Sequence, residues 1–240
     1  MPSWTPLPQV VARRLQKMIL DGELREGDLI PSQRQLSERF NVSRASLREA
    51  LLTLETLGLI KTEPGRGSFV TAGRPDQSAA LIWRYSASHS MQDVFETRRM
   101  LEGQITQSAA LSIDTAAIAT LTEATDEMEH CWDAGDLLAN VEADLRFHRT
   151  ITLSCPNRML QSVYEAVQGL LTETQRQPIP RTNATRMRAS LGEHRKIIAA
   201  LSRRDGLAAR EAMRRHIANT AECAGIILDG NRRPQGAEKT

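Results

Sequence analysis

Apolar residues follow a helical period through most of this 240-residue chain, and only one short segment departs from that period. Residues 8–22 predict a first amphipathic helix that ends at a glycine. In residues 31–58 the helical pattern of apolar residues predicts two further helices with a short break between them. Residues 59–70 instead hold two β-prone runs around a Pro-Gly turn. This order predicts three helices followed by a β-hairpin near the start of the chain.

The break between the second and third periods has the signals of a tight turn between helices. Ser32 can cap the second helix while the side chain of Gln35 reaches back to it, as in a capping box. Asn41 tolerates the left-handed backbone conformation that a tight turn needs. Ser43 can cap the third helix, and Gly58 lies in the usual position just past a helix end. Together with the hairpin, these signals predict a winged helix-turn-helix.

The third predicted helix has a face suited to reading DNA. Arg44 and Arg48 are four residues apart and therefore share a face, and an arginine can hold guanine O6 and N7 together. We expect Arg34 to hold a phosphate, and Arg66, between two glycines, to reach along a groove. A solvated basic face on an ordinary helical domain is the alternative. The predicted DNA-contacting residues are Arg34, Ser43, Arg44, Ser46, Arg48, Arg66 and Gly67.

Charge changes this picture only modestly. The chain has 31 Lys and Arg against 29 Asp and Glu, a net charge of +2, so it is not a general polycation. The first 74 residues hold 11 basic and 8 acidic residues, which leaves 20 and 21 for the remainder. The basic excess therefore lies in the part predicted to bind DNA.

Beyond residue 75 every apolar period is helical, and none has the alternation of a strand. We therefore predict a mostly α protein in which an antiparallel bundle of six or seven helices follows the winged helix-turn-helix. The predicted helices of the bundle span residues 76–85, 91–112, 114–134, 136–153, 157–175, 184–203 and 205–229. The predicted parts are a DNA-binding domain (1–72), a linker (73–77), a helical domain (78–229) and a disordered tail (230–240).

The predicted bundle contains a set of potential metal ligands. Asp144 and His148 are four residues apart and project from one inward face of a helix. His194 and His216 each lie about ten residues from a break in the chain, so an antiparallel hairpin returns them to the same level. One carboxylate and three imidazoles form a plausible site for a divalent metal ion. Each histidine taken alone is more typical of a hydrogen-bonded core or surface residue.

Arg98 lies in the middle of an apolar helical face, where a buried arginine needs an anion. Glu102, four residues further on, is one candidate for that anion. A bound carboxylate is the other, and both partners can be present together. Arg98 and Glu102 are therefore candidate effector-binding residues.

Several segments together resemble the DNA-binding domain of the GntR family of bacterial transcription regulators. They read PSQRQL, VSRASLREAL, LETLGLI and GRGSFV within residues 8–71. The family usually has Glu after PS, and this chain has Gln33, which bears on the ion pairing around Arg34. An all-helical second domain of this size resembles the FadR subfamily, whose ligand-binding module is called the FCD domain.

The resemblance extends to the metal ligands. Asp144 and His148 match a DxxxH element, His194 opens HRKIIAAL and His216 ends AMRRH, as in the metal-binding subset of FCD domains. ETRRMLE, which contains Arg98, resembles the ExRxxLE element of the family. The resemblance implies a bound divalent ion such as zinc, and these ligand types also suit nickel or manganese.

The resulting expectation is a ligand-responsive transcription regulator, a repressor that binds palindromic operator DNA as a homodimer. A small carboxylate effector would bind between the metal and Arg98 and would release the DNA. A metal-dependent enzyme with an attached DNA-binding domain is the competing hypothesis. Metal hydrolases commonly use three protein ligands and a water, whereas four protein ligands and no positioned general base are predicted here. A purely architectural DNA binder would leave the Asp/His set without a role.

The expected location is the bacterial cytosol, at the nucleoid. The chain has three cysteines without a CxxC pair, which is typical of free thiols in a reducing compartment. No apolar run approaches the roughly 20 residues that cross a bilayer, and the N-terminus lacks a signal-peptide pattern. We therefore expect no membrane partner.

Overall fold

The computed structural model describes residues 7–72 and 83–228. These residues form nine α-helices, one short 3-10 helix and one two-stranded sheet, which confirms the mostly α fold. The elements are α1 (Leu7–Leu20), α2 (Gln33–Phe40), α3 (Arg44–Thr56), β1 (Ile60–Glu63), β2 (Gly67–Val70), α4 (Met91–Ala109), α5 (Thr115–Asp133), α6 (Leu137–Leu153), α7 (Arg158–Arg176), the 3-10 helix (Ile179–Arg181), α8 (Ala184–Ser202) and α9 (Gly206–Cys223).

The turn between α2 and α3 has the predicted local structure. Ser32 accepts a hydrogen bond from the backbone of Gln35, whose side chain accepts from the Ser32 backbone, so the capping box is present. Asn41 has φ 51° and ψ 51°, in the left-handed region. The Ser43 side chain caps α3, and Gly58 follows that helix with φ 70°. The helix-turn-helix prediction is confirmed.

The wing is an antiparallel hairpin in which Ile60 pairs with Val70 and Glu63 pairs with Gly67. An isolated bridge between Leu29 and Phe69 adds a further backbone contact to its outer edge, which the hydrophobic pattern did not predict. Gly67 has φ 115°, and a Cβ atom there would lie 2.7 Å from Leu29 Cδ1. The positive φ therefore favours glycine at this position, whereas a Cβ atom would require only the exposed Leu29 side chain to shift.

Helices α4 to α9 form the bundle, with α4 packed mainly on α9 and α5 on α6. Its core is rich in side chains such as Phe95, Ile105 and Phe147, which are essentially inaccessible to solvent. Six described helices agree with the predicted six or seven. None of the helices in the described residues is both long enough and apolar enough to cross a membrane.

Two predicted boundaries differ from the structure. The predicted helix 76–85 falls mainly outside the described residues, and its described end, 83–85, is not helical. The last helix was predicted to continue to residue 229 but ends at Cys223, because Gly225 adopts a left-handed φ of 81° that terminates it. The predicted linker (73–77) and tail (230–240) lie outside the described residues.

The winged region packs directly on the bundle. Its hydrophobic core includes Leu138 and Val141 of α6 and Ile179 of the 3-10 helix. The buried Gln16 donates to Asp136 Oδ1 (2.6 Å) and accepts from the Leu138 backbone (3.1 Å). Sequence analysis predicted a connection only through the linker, so this shared packing is a new finding.

Candidate functional site

Four side chains from three helices converge inside the bundle. α6 supplies Asp144 and His148, α8 supplies His194 and α9 supplies His216. Each offers one ligand atom, and these atoms all lie within 4.8 Å of one another. The three imidazoles are buried, and Asp144 is partly exposed. The structure thus brings together all four residues that the sequence proposed as metal ligands.

Two of the imidazoles are held by carboxylates on their Nδ1 side. His148 Nδ1 contacts Glu102 Oε2, and His216 Nδ1 lies 2.9 Å from Glu193 Oε2. A carboxylate on one ring nitrogen fixes the ring orientation and leaves the other nitrogen for a metal. The Nε2 atoms of both rings are therefore the expected ligand atoms.

His194 has the same arrangement with a backbone acceptor. Its Nδ1 lies 3.0 Å from the carbonyl oxygen of Ser190. Its Nε2 is buried and forms no hydrogen bond within the described residues, although Asp144 Oδ1 is 3.0 Å away. A buried nitrogen without a hydrogen bond, beside a carboxylate and two further Nε2 atoms, fits a divalent metal ion.

Glu193 is a candidate site residue that the sequence did not indicate. In addition to His216, it accepts a bidentate contact from Arg186 (2.9 and 3.0 Å) and a hydrogen bond from Asn219 (2.8 Å). Burial alone would raise the pKa of its carboxyl group, but His216 and Arg186 lower it to about 2. The only sequence signal was its position next to His194, because its partners lie on other turns and on another helix.

Arg98 is fully buried, and its guanidinium group lies beside His148, one of the candidate metal ligands. Its Nε donates to Glu102 Oε1 (2.7 Å), one terminal nitrogen donates to Thr174 Oγ1 (3.3 Å), and the other lies 3.2 Å from His148 Nε2. The intrahelical partner predicted for Arg98 is therefore present. Burial would raise the pKa of Glu102, but His148 and Arg98 lower it to about 2.

The histidines have different protonation preferences. Burial would lower the pKa of His148, but the carboxylates of Glu102 and Asp144 outweigh burial and raise it to about 9. For His216, burial and the neighbouring His194 lower the pKa to about 4. Burial would raise the pKa of Asp144, but His148 and His194 hold it well below the usual range. Near pH 7 the metal-free site therefore has a protonated His148 and a neutral His216.

We expect a divalent ion to release about one proton per chain when it binds at pH 7, because imidazole must be neutral to ligate a metal. The proton comes from His148, whose pKa of about 9 lies above the working pH. Apparent affinity should rise about tenfold per pH unit up to roughly pH 9 and then level off. Calorimetry in buffers of different ionisation enthalpy measures the proton count. Binding at pH 7 without proton release would contradict this assignment.

A small cavity adjoins the candidate metal ligands. It has a volume of ≈ 50 Å³ and is lined by Asp144 and His216 together with Gln175, Pro178, Ile179 and Thr182. Ile179 also belongs to the hydrophobic core of the winged region. The cavity is therefore lined both by two of the candidate metal ligands and by a residue of the winged region's core, whereas Arg98 and Glu102 are not among its lining residues.

The predicted DNA-contacting residues lie on the winged region. Arg34, Ser43, Arg44, Arg48, Arg66 and Gly67 are exposed, and Ser46 is half-buried. Arg48 Nε donates to Gln33 Oε1 (3.3 Å), whereas Arg34 approaches Glu38 at 4.0 Å. The glutamine that departs from the family pattern thus contacts Arg48 rather than Arg34. Arg66 is paired with Glu63 across the hairpin turn.

Comparisons with known proteins agree with the assignment of the winged region and of the helical domain. Residues 7–70 match the model described as "Bacterial regulatory proteins, gntR family", and residues 93–219 match the FCD domain model. The chain is 30% identical over 222 residues to the HTH-type transcriptional regulator LutR of Bacillus subtilis, which covers 89% of this chain and 99% of that protein. It is 28% identical over 222 residues to the Exu regulon transcriptional regulator of Escherichia coli, covering 89% and 83%.

A solved structure supports the fold alone. The E. coli McbR/YncC structure matches with a TM-score of 0.54 at 18% identity, covering 92% of this chain and 98% of that one.

Proposed function

Because the chain belongs to the GntR family of bacterial regulators and has an FCD domain, we propose that it is a repressor that releases operator DNA when a small organic acid binds at a metal centre. Its DNA-binding and transcription-regulating character follows from the family, whose named relatives are regulators rather than enzymes. The observation that carries the finer proposal is the cavity, which is lined both by metal ligands and by residues that contact the winged region.

The donor set supports a carboxylate effector. Asp144, His148, His194 and His216 would hold the ion, which supplies a Lewis-acidic position for carboxylate oxygens when it is bound. One terminal nitrogen of Arg98 lies 3.2 Å from His148 Nε2. The positive charges of the Arg98 guanidinium group and of an ion bound to His148 would therefore be close together in a low-dielectric site. An effector carboxylate that contacts both the ion and Arg98 would offset that repulsion, and it would have to reach Arg98 from the cavity, whose lining does not include Arg98. Arg98 and Glu102 are therefore proposed effector-site residues, in which Glu102 holds both Arg98 and His148.

The contacts between the bundle and the winged region support coupling. Ile179 lines the cavity and lies in the winged region's core, and a Cβ atom on Gly58 would lie 3.2 Å from Pro180 Cβ. Arg84 donates to Glu49 of α3 (2.5 Å) and approaches Glu173 of α7 at 3.9 Å. A ligand that enlarges the cavity would displace the segment of Ile179 and Pro180, and α3 would move with it. Acid and DNA would then weaken each other's binding by the same factor.

A palindromic operator requires two copies of the reading helix in a fixed relation, so we propose a homodimer. The experiment that tests the proposed function measures operator binding by fluorescence anisotropy with and without metal and candidate acids. We expect stoichiometric acid binding without product formation, and release of the DNA. Turnover of the acid would favour the metal-dependent enzyme instead. That alternative has less support, because the nearby carboxylates Glu102 and Glu193 are both engaged by histidines.

Arg44→Ala or Arg48→Ala should each lower operator affinity by about 1–3 kcal/mol and relax the base preference at one position per half-site. Both side chains are exposed on the same face of α3. Arg34→Ala is the matched control, because a phosphate contact weakens binding to all sequences similarly. Selection of binding sites from random DNA followed by anisotropy titration measures both effects. Unchanged operator affinity in both α3 variants would refute α3 as the reading helix.

A further inference from the structure

Gln175 is the lining side chain of the cavity whose polar atoms lack partners. It lies in the last turn of α7 and is only 4% exposed. Neither its Nε2 nor its Oε1 has a hydrogen-bond partner within residues 7–72 and 83–228. A buried amide with both groups unpaired carries a desolvation penalty that a bound partner would remove.

Several other polar side chains around the cavity are already bonded to the protein. Thr182 Oγ1 donates to the Pro178 carbonyl (2.9 Å), and Thr220 Oγ1 donates to the His216 carbonyl (2.9 Å). Asn140 donates its amide to the Met128 carbonyl (2.7 Å), and Arg186 is held by Glu193. Gln175 is thus the lining side chain whose amide has both groups unpaired among the described residues, and it shares the cavity with the candidate metal ligands Asp144 and His216.

The amide selects for a group that both donates and accepts. A hydroxyl group can donate to Oε1 and accept from Nε2, whereas a keto oxygen or a carboxylate can only accept. A carboxamide would also satisfy both atoms, but it is larger. A cavity of ≈ 50 Å³ has room for on the order of four water-sized groups. The size limit therefore favours the hydroxyl group.

We propose that Gln175 makes the site selective for short hydroxy acids of about two to four carbons, whose carboxylate lies at the metal centre and whose hydroxyl group pairs with the Gln175 amide. This inference rests on the proposed effector function. A keto acid, or an acid without the second oxygen, leaves one or both amide atoms buried and unpaired, and this loss provides the discrimination.

The test is calorimetry on the full-length, metal-reconstituted protein with matched acids of three and four carbons. Each length is offered with a hydroxyl group, with a keto group and with neither. We expect at least one hydroxy acid to bind about 10- to 100-fold more tightly than its keto and unsubstituted counterparts. Gln175→Met, which keeps the side-chain length without polar atoms, should reduce that preference to within about threefold. Its affinity for the unsubstituted acid should change little.

Gln168→Met is the matched control, because this half-buried glutamine of α7 does not line the cavity. It should keep the full preference for the hydroxy acid. Metal content and melting temperature establish that each variant is folded. Equal binding of all three forms by the unaltered protein, or a preference that survives in Gln175→Met, would overturn the role of Gln175 while leaving the effector function intact. Failure of every acid to bind would overturn both.

Discussion

Replacing His194 with alanine is expected to abolish stoichiometric metal binding. Its Nε2 is the ligand atom most clearly prepared for an ion, since it is buried, has no hydrogen bond within the described residues and lies 3.0 Å from Asp144 Oδ1. Without it, three ligands remain around an enlarged space. After reconstitution and gel filtration, elemental analysis should fall from about one ion per chain to below about a tenth.

The exposed His130 of α5 supplies the matched control, because His130→Ala removes an imidazole far from the four ligands in sequence and should keep the full metal content. The His194 ring packs edge-on against Phe147 with a centroid distance of 4.4 Å, so alanine also removes core contacts. His194→Gln retains most of the volume and should lose metal equally. It should also lose the rise in melting temperature that the metal gives the unaltered protein. Normal metal content in folded His194→Gln would exclude the site.

Arg98→Ala is expected to lower the free energy of unfolding by about 3–5 kcal/mol, because it leaves a buried carboxylate without one of its two cationic neighbours. Glu102 accepts from Arg98 Nε at 2.7 Å and contacts His148 Nδ1 on its other oxygen. The same change should weaken effector binding by about 10- to 100-fold, since a charge-assisted contact to the carboxylate is lost. Denaturant unfolding and operator release measure the two effects separately.

Arg98→Lys keeps the charge but cannot reach Glu102, Thr174 and His148 with one ammonium group, so it should recover only part of each loss. Arg215→Ala is the control for arginine removal, because that side chain is exposed and pairs only loosely with Glu211 at 3.6 Å. Its unfolding free energy should change by less than about 0.5 kcal/mol. An Arg98→Ala protein that is as stable as the unaltered chain would contradict the buried network. One that still releases operator DNA at the normal ligand concentration would contradict the effector contact.

Local signals in the sequence were sufficient to predict the helix-turn-helix. Ser32, Gln35, Asn41 and Ser43 act through contacts within a few residues of themselves, and such contacts depend little on the rest of the chain. The pairing of Asp144 with His148 could be predicted for the same reason, since a spacing of four residues fixes a shared helical face.

Contacts between distant elements could not be predicted. Helical period indicates that Val141 is buried, but it does not indicate which core Val141 joins. Ile179 lies between two predicted helices, so no period applied to it, and both residues belong to the core of the winged region. Glu193 and Gln175 were missed because each depends on how separate helices are placed. His216, the partner of Glu193, lies on another helix, and the free amide of Gln175 becomes apparent only once the cavity is seen.

The shared packing of the winged region on α6 and the 3-10 helix affects how such regulators can diversify. A winged region joined to its helical domain only by a linker could be exchanged freely between relatives. Here Leu138 and Ile179 of the helical domain complete the apolar core of the winged region. Gln16 of the winged region forms hydrogen bonds with Asp136 and with the Leu138 backbone at the start of α6. A hybrid that joined this winged region to another helical domain would lose part of the region's core and, with it, the proposed coupling to the cavity. The unit that recombination can transfer intact is therefore the winged region together with α6 and the 3-10 helix, on which it packs.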